Sequence, residues 1–233
     1  LLYYSTFSQR AFDEILNDIA RQNLPVIIGI DRAGIVGEDG VTHQGIYDIA
    51  MFGLMPNVKI AMPKDAAELI GIFNYAFTDS NPFVIRYPRG KHICDLTTLD
   101  YKNVIAPSWQ VLKKGHKICV ISYGPDVLRI QKLIERDGLD CALVNARYIR
   151  PLDTKVLDEA LSLYERIVVI EQVTIKGSLY QDIVLYAYQN EYQTKIETIS
   201  FEENISIPHG KIEDVLNHYG LSEEDILNKI RVD

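Results

Sequence analysis

The sequence has few cysteines, and they lie far apart. The three stand at positions 94, 119 and 141 of a 233-residue chain, which argues against a disulfide framework of the kind that holds small secreted domains together. Cys119 and Cys141 lie inside apolar runs, where a thiol packs as a small hydrophobe. This usage of cysteine favours a reducing, cytoplasmic location.

The sequence also lacks a long apolar run and an excess of basic residues. No apolar run approaches the roughly 20 residues that a membrane-spanning helix needs. The net charge is -8, and an acidic surface disfavours general binding to nucleic acid or to anionic membranes. The five histidines are scattered and show no metal-ligand spacing, so we predict no metal site. We expect neither a membrane nor a nucleic acid as a partner.

An initiating Met is absent as well. The chain begins with LLYY, which reads as part of a strand. We therefore expect the sequence to belong to a longer protein whose N-terminal part is missing here.

Strand-like and helix-like segments alternate along most of the chain. The first half, residues 1–95, has the strand candidates LLYY, PVIIGI, VKIAM and PFVIRYP, with amphipathic segments between them. Residues 91–108 lose this rhythm and are interpreted as a linker or crossing segment, with 96–108 as the linker between domains. The rhythm restarts in residues 109–233, where the strand candidates are KICVISYG, CALVNARYI, RIVVIEQ and KIETISF. This alternation predicts an α/β fold with two consecutive domains, each a parallel or mixed sheet covered by helices.

Polar residues cluster where two predicted strands end. Arg32 follows PVIIGID and opens the loop DRAGIVGEDGVTHQG, and Arg89 follows FVIRYP in YPRG. Ligands of open parallel sheets bind at the carboxyl ends of strands, so we expect both guanidiniums on one edge of one sheet. Their planar donor forks suit a phosphate dianion. Pairing with a nearby carboxylate, such as Asp31 or Asp39, is an equally supported alternative.

The same loop carries two further groups with possible chemistry. His43 is suited to proton transfer near neutral pH, and Asp39 could orient it or bind a hydroxyl. The alternative is a loop-capping Asp and a solvated His, and the shared loop favours the functional interpretation. Tyr4, Phe7 and Arg10 lie in YYSTFSQRAF at another predicted strand end. By themselves they are interpreted as packing residues.

These motifs together resemble a known enzyme family. DRAGIVGEDGVTHQG, preceded by YSTFSQRAFDEI and followed by VIRYPRG, closely resembles the 1-deoxy-D-xylulose 5-phosphate synthases, which are transketolase-like enzymes using thiamine diphosphate. The resemblance covers essentially the whole chain. It implies most of a pyrimidine-binding domain, followed by a transketolase C-terminal domain. One departure is EQVTIKGSLYQDI, which stands where the family commonly has a Glu-Glu pair and a glycine-rich turn.

The resemblance implies a role for each candidate residue. Arg32 and Arg89 would grip the phosphate of glyceraldehyde 3-phosphate. His43 and Asp39 would contact the reacting carbon chain and assist proton transfer. Phe7 would stack on the aminopyrimidine of thiamine diphosphate, with Tyr4 and Arg10 at neighbouring pocket positions.

The resemblance also implies a reaction and what this chain needs for it. Pyruvate and glyceraldehyde 3-phosphate would be joined with loss of carbon dioxide, feeding non-mevalonate isoprenoid, thiamine and pyridoxal synthesis. The family's domain for the diphosphate and Mg²⁺ has no counterpart in this sequence, so we expect the chain alone to be inactive and the complete protein to be a homodimer. The alternatives are a split transketolase, a 2-oxo acid dehydrogenase β subunit, or a non-catalytic dimerisation or regulatory module.

Overall fold

The computed structural model describes residues 1–90 and 95–231 of the chain. Residues 91–94, 232 and 233 lie outside the described part, and with them Cys94 and the first residues of the predicted crossing segment. The strands are β1 Leu2–Tyr4, β2 Ile27–Asp31, β3 Lys59–Ala61, β4 Phe83–Arg86, β5 Gln110–Lys113, β6 Ile118–Ser122, β7 Ala142–Asn145, β8 Tyr148–Arg150, β9 Arg166–Thr174 and β10 Lys195–Phe201.

Helices connect these strands in the predicted alternation. They are α1 Phe12–Glu14, α2 Asp48–Gly53, α3 Ala66–Ala76, α4 Asp126–Arg136, α5 Thr154–Leu163, α6 Leu179–Gln189, α7 Ile212–His218 and α8 Glu223–Ile230. A 3₁₀ segment, Ser5–Ala11, precedes α1, and a π-helical segment, Ile15–Ala20, follows it. In the described part of the chain, no helix has both the length and the apolar composition needed to cross a bilayer.

Two five-stranded sheets confirm the predicted α/β class. The first has the order β1-β2-β4-β3-β8 and the second β10-β9-β6-β7-β5. Neighbouring strands run parallel except at one edge of each sheet, where β8 pairs antiparallel with β3 and β5 pairs antiparallel with β7. Both sheets are therefore mixed.

The segment CALVNARYI was predicted as one strand, and this prediction is wrong. The structure divides it into β7, in the second sheet, and β8, which joins the first sheet. Between them, Ala146 N donates to Ser122 O at 2.7 Å in the second sheet, while Met62 N donates to Arg147 O at 2.9 Å in the first. Both pieces are almost wholly buried, so hydrophobic periodicity carries no sign of the break.

The edge strand β5 was not among the predicted strands. Its residues are mostly half-buried and one of them is exposed. A short edge strand of this kind has neither a continuous apolar run nor a clean alternation, which are the two patterns that identify strands in a sequence.

Helix α3 begins with only half of a capping box. The Asp65 side chain accepts a bond from Glu68 N at 2.8 Å, as the Asp-x-x-Glu spacing predicts. The Glu68 carboxylate instead accepts from Lys64 N at 2.7 Å and from Asn145 Nδ2 at 2.9 Å. Glu68 therefore links the first sheet's helix to β7 of the second sheet.

The largest apolar cluster lies between the two sheets. It contains Ile28 and Ile30 from β2, Phe52 from α2, and Leu179 and Ile183 from α6. A second cluster packs α4, α7 and α8 on the far face of the second sheet, and a third packs α3 against β3, β4 and β8. Because the main core is shared, both halves of the chain support the edge where the polar loops meet.

Candidate active site

The loops that follow three neighbouring strands lie together at the carboxyl ends of the strands in the first sheet. β1, β2 and β4 are adjacent and parallel, and they end at Tyr4, Asp31 and Arg86. In the register, Tyr4 lies beside Asp31 and Ile30 beside Arg86. The loops that begin with Ser5, Arg32 and Tyr87 therefore leave the sheet side by side.

The loop after β2 is closed at its base by two glycines. Gly34 and Gly45 exchange two backbone hydrogen bonds, each of 2.8 Å. A Cβ at Gly45 would overlap the carbonyl oxygen of Arg32, so only glycine fits there. Arg32 itself has φ +58°, a left-handed conformation that costs a non-glycine residue about 1–2 kcal/mol. The loop is a tight, partly strained structure that holds Arg32 in one place.

Asp39 lies between the two predicted arginines. Its Oδ2 accepts from Arg32 Nε at 3.2 Å, and its Oδ1 pairs with Arg89 Nη1 at 3.0 Å. Arg32 also pairs with Asp31, and Arg89 Nη1 donates to the carbonyl of Val36 at 3.3 Å. The arginines thus meet at the sheet edge as predicted, and they also pair with carboxylates as the alternative prediction stated.

Tyr4 completes the hydrogen bonding of Asp39. Its hydroxyl donates to Asp39 Oδ2 at 2.7 Å, and the Arg32 guanidinium lies 4.6 Å from the centre of its ring. Burial and this hydrogen bond raise the pKa of Tyr4 to about 12. The bond from Tyr4, with the Arg89 and Arg32 guanidiniums, holds the pKa of Asp39 below its usual value. At neutral pH the site therefore contains a carboxylate held by a neutral hydroxyl and two cations.

An aromatic wall stands beside this charged group. The ring centres of Tyr4 and Phe7 are 5.0 Å apart, and the His43 ring lies 5.2 Å from Tyr4 and 5.4 Å from Phe7. Phe7 is 49% exposed, so its ring is accessible to a ligand. His43 Nδ1 lies 2.9 Å from the Thr42 hydroxyl, which leaves Nε2 as the ring nitrogen without that contact.

The structure brings six of the seven predicted residues together: Tyr4, Phe7, Arg32, Asp39, His43 and Arg89. Arg10 differs from them. It lies near the end of the Ser5–Ala11 segment with an exposed side chain. Within the described part of the chain it makes none of the hydrogen bonds or ring contacts described for this cluster.

Sequence reasoning missed a buried polar network beneath the site. Arg86 forms a two-pronged ion pair with Asp48, with distances of 2.6 and 3.0 Å, and both side chains are 1% exposed. The Arg86 guanidinium lies 5.9 Å from the ring centre of Tyr123, whose hydroxyl donates to Glu171 at 2.9 Å. A charge inside an apolar run, as in FVIRYP and VVIEQV, was the available signal, because such charges are buried only when paired.

Above this network lies a cavity of about 240 Å³. Its walls come from both halves of the chain and include Gly34, Arg86, Arg89, Tyr123, Asp126 and Gln172. The cavity therefore adjoins Arg89 and is lined by residues of both halves of the chain.

The described residues contain no cluster of three or more His, Cys, Asp or Glu side chains that could hold a metal ion. Cys119 and Cys141 are free and buried, and burial raises the pKa of both thiols. This is the packing role predicted for them.

Two family descriptions match the chain in succession. Residues 1–92 match the transketolase pyrimidine-binding domain, and residues 108–226 match the transketolase C-terminal domain. Neither match covers residues 93–107.

Curated relatives with the name 1-deoxy-D-xylulose-5-phosphate synthase match almost the whole chain. The relative from Clostridium tetani is 36% identical over 97% of this chain, and the one from Lysinibacillus sphaericus is 38% identical over 100% of it. In both cases the match covers 37% of the relative. The chain thus spans little more than a third of the length of these proteins.

Solved structures share the fold. A chain described as a split gene transketolase, inactive beta4 tetramer, has a TM-score of 0.82 and 24% identity, covering 98% of this chain and 74% of that one. Transketolase from Campylobacter jejuni has a TM-score of 0.74 and 20% identity, covering 98% of this chain and 34% of that one. At these identities the likeness concerns the fold alone.

Proposed function

The chain belongs to the transketolase family, and from this premise we propose that it is the pyrimidine-binding and C-terminal part of a 1-deoxy-D-xylulose 5-phosphate synthase. The complete enzyme would join pyruvate to glyceraldehyde 3-phosphate with loss of carbon dioxide. The observation that carries the proposal is the meeting of Arg32 and Arg89 at one point beside His43. A phosphorylated aldehyde substrate needs cationic side chains that bind its phosphate and a nearby group that can donate a proton.

The two arginines would bind the phosphate of the aldehyde substrate. Their side chains are 32% and 43% exposed, so donors remain open to solvent although Asp39 already contacts both. A phosphate dianion carries more charge than one carboxylate and offers more acceptor oxygens. It would bind at the open donors, while Asp39 keeps the two guanidiniums from repelling each other.

His43 would handle the proton that the reaction consumes. Joining pyruvate and the aldehyde releases carbon dioxide and turns the aldehyde oxygen into a hydroxyl, which requires one proton. His43 lies within the aromatic wall beside Tyr4 and Phe7, and its Nε2 is the nitrogen that could donate to this oxygen. Positioned general acids of this kind contribute typically 10²–10⁴-fold to rate.

The exposed residues fit part of a thiamine diphosphate site. This cofactor supplies the electron sink for the two-carbon unit when bound. Phe7, with about half of its surface open beside His43, offers a flat apolar face for an aminopyrimidine ring. The diphosphate and Mg²⁺ would be held by the polypeptide that makes up the rest of the relatives' length. Pyruvate and the aldehyde phosphate would bind where that polypeptide meets this chain.

We therefore expect this polypeptide alone to be inactive and the complete protein to act as a cytoplasmic homodimer. The test is to assay the chain alone and the complete protein with pyruvate, glyceraldehyde 3-phosphate, thiamine diphosphate and Mg²⁺, following deoxyxylulose phosphate. Product from the complete protein only is the expected result. Turnover of a ketose phosphate donor in place of pyruvate would identify a transketolase instead, and no turnover of either would favour a non-catalytic module.

The His43→Asn variant sharpens the assay. We expect kcat to fall by roughly 10²–10⁴-fold, because the side chain can no longer supply a proton. His116→Asn is the matched control, since His116 is an exposed histidine paired with Asp140 in the second domain. An unchanged kcat in His43→Asn would remove His43 from the proposed mechanism.

A further inference from the structure

One contact between the second domain and the loop after β2 is made by a single amide side chain. Gln172, in β9, accepts a hydrogen bond at its Oε1 from Ile35 N at 3.3 Å. Its Nε2 donates to both carboxylate oxygens of Asp126, at 3.1 and 2.9 Å. A Cβ at Gly34 would lie 3.3 Å from Gln172 Oε1, so the loop packs directly on the amide.

The amide satisfies both neighbours in this arrangement. Ile35 N is a donor and needs an acceptor, while the Asp126 carboxylate is an acceptor and needs a donor. A glutamine presents one of each from the same planar group. A glutamate would place a second carboxylate against Asp126, where like charges at close range repel.

Asp126 is itself fixed. It is the first residue of α4, and its Oδ1 lies 3.2 Å from Arg129 Nε one turn further along. Burial raises the pKa of Asp126, and Arg129 and Gln172 act in the opposite direction. Arg86, Arg89 and Tyr123 are the other charged or titratable residues lining the same cavity. The anchor for Gln172 is therefore a helix-held carboxylate rather than a mobile surface group.

We propose that Gln172 is a positioning residue. Its bonds to Asp126 of α4 and to Ile35 N fix Gly34 and Ile35 relative to the second domain. In this way it holds the loop that carries Arg32 and Asp39. The residue touches no reacting group. Ile35 follows Arg32 by only three positions in the sequence, and Arg32 is already in a strained conformation. Losing the bond to Ile35 N would remove one of the contacts that hold this segment, and with it Arg32, in position beside Arg89.

This role of Gln172 rests on the proposed function only in one respect, namely that the loop holding Arg32 would bind a phosphate. Its structural content concerns the backbone of residues 34–36 and can be tested without substrate or cofactor. A negative result here would leave the synthase assignment standing, and a failed synthase assay would leave this result standing.

The experiment is residue-resolved amide hydrogen exchange on the 233-residue chain at neutral pH. The variants are Gln172→Ala, Gln172→Glu, and Gln172→Glu combined with Asp126→Asn. The double variant exchanges donor and acceptor, because the new amide at position 126 could donate to the new carboxylate at position 172, which still accepts from Ile35 N. Gln181→Ala is the control, since Gln181 makes the same kind of amide-to-backbone bond, to Gly177 N at 2.7 Å within its own domain.

We expect exchange at Ile35 to accelerate roughly two- to tenfold in both single variants, the effect of losing one hydrogen bond, and to return towards wild type in the double variant. Exchange at Ile35 should stay at the wild-type rate in Gln181→Ala. Amides of β9 should keep their protection, which verifies that the variants fold. Unchanged exchange at Ile35 in Gln172→Ala would overturn the proposal. So would acceleration shared equally by β9, or failure of the exchanged pair to restore protection.

Discussion

Arg86 and Arg89 stand three positions apart in the segment IRYPRG, and each pairs with an aspartate, yet their surroundings differ completely. Arg86 is the last residue of β4, is 1% exposed, and engages both oxygens of Asp48. Arg89 lies beyond the strand end, is 43% exposed, and contacts one oxygen of Asp39. The same side chain therefore occurs within a few residues as a buried structural cation and as an open one.

The comparison indicates that burial, rather than pairing, decides whether an arginine is open to an anion from solution. The fork of Arg86 is filled by a carboxylate in a place that water does not reach, so an anion from solution would have to replace a buried charge. Arg89 retains solvent-facing donors, and exposed ion pairs are worth only about 0–1 kcal/mol. An incoming phosphate can compete with such a pair at small cost.

The largest effect that this comparison predicts is on stability, at Arg86. Arg86→Met removes one partner of the buried pair and leaves the Asp48 carboxylate without a counter-charge. Breaking a buried pair in this way costs about 3–5 kcal/mol, so we expect the free energy of unfolding to fall by that amount. Urea denaturation followed by circular dichroism measures it.

A second variant tests whether the uncompensated charge is the cause. Combining Arg86→Met with Asp48→Asn removes that charge, and the double variant should recover part of the lost stability. A loss below about 1 kcal/mol in Arg86→Met would show that Arg86 is no more structural than an exposed pair.

The next effect concerns Glu171, at the other end of the buried network. Burial raises the pKa of Glu171. The hydrogen bonds that Glu171 accepts from Tyr180 N and the Tyr123 hydroxyl act in the opposite direction but do not cancel the rise. Between the pKa of an unfolded glutamate, about 4.3, and the raised pKa of Glu171, the folded state keeps a proton that the unfolded chain releases. Stability therefore falls as pH rises through this window, by about 1.4 kcal/mol for each unit by which the pKa is raised.

Glu171→Gln should remove this dependence. Its free energy of unfolding, measured by urea denaturation between about pH 4.5 and 7.5, should lose less with rising pH than that of the wild type. Glu224→Gln, which removes an exposed carboxylate on α8, is the control and should keep the wild-type slope. A wild-type slope in Glu171→Gln would mean that another group is responsible.

The two regions also differ in how far a sequence can predict them. The meeting of Arg32 and Arg89 follows from a general rule about strand ends in parallel sheets, and both strands are legible as apolar runs. The glycines at 34 and 45 are visible in the sequence, and they permit the tight turn that closes the loop. The meeting of these two arginines was therefore predictable from the sequence.

The buried half depends on contacts between distant segments. Arg86 meets Asp48 across 38 residues, Tyr123 meets Glu171 across 48, and Ile35 meets Gln172 across 137. Local propensity and periodicity do not encode which distant segments meet. The passage of the chain from β7 to β8 was unpredicted for the same reason, because both pieces are largely buried and the strands they pair with distinguish them.

The smallest effect on stability is expected at Arg89, and it tests the open side of the comparison. Arg89→Ala should change the free energy of unfolding by less than about 1 kcal/mol, because the pair with Asp39 is exposed. If the proposed function holds, the same variant of the complete enzyme should raise KM for glyceraldehyde 3-phosphate roughly ten- to hundredfold, the effect of losing one charged hydrogen bond to the phosphate. Arg89→Lys should recover part of this loss and not all, since an ammonium keeps the charge without the planar fork. A large loss of stability with an unchanged KM would reverse the comparison and make Arg89 a structural residue like Arg86.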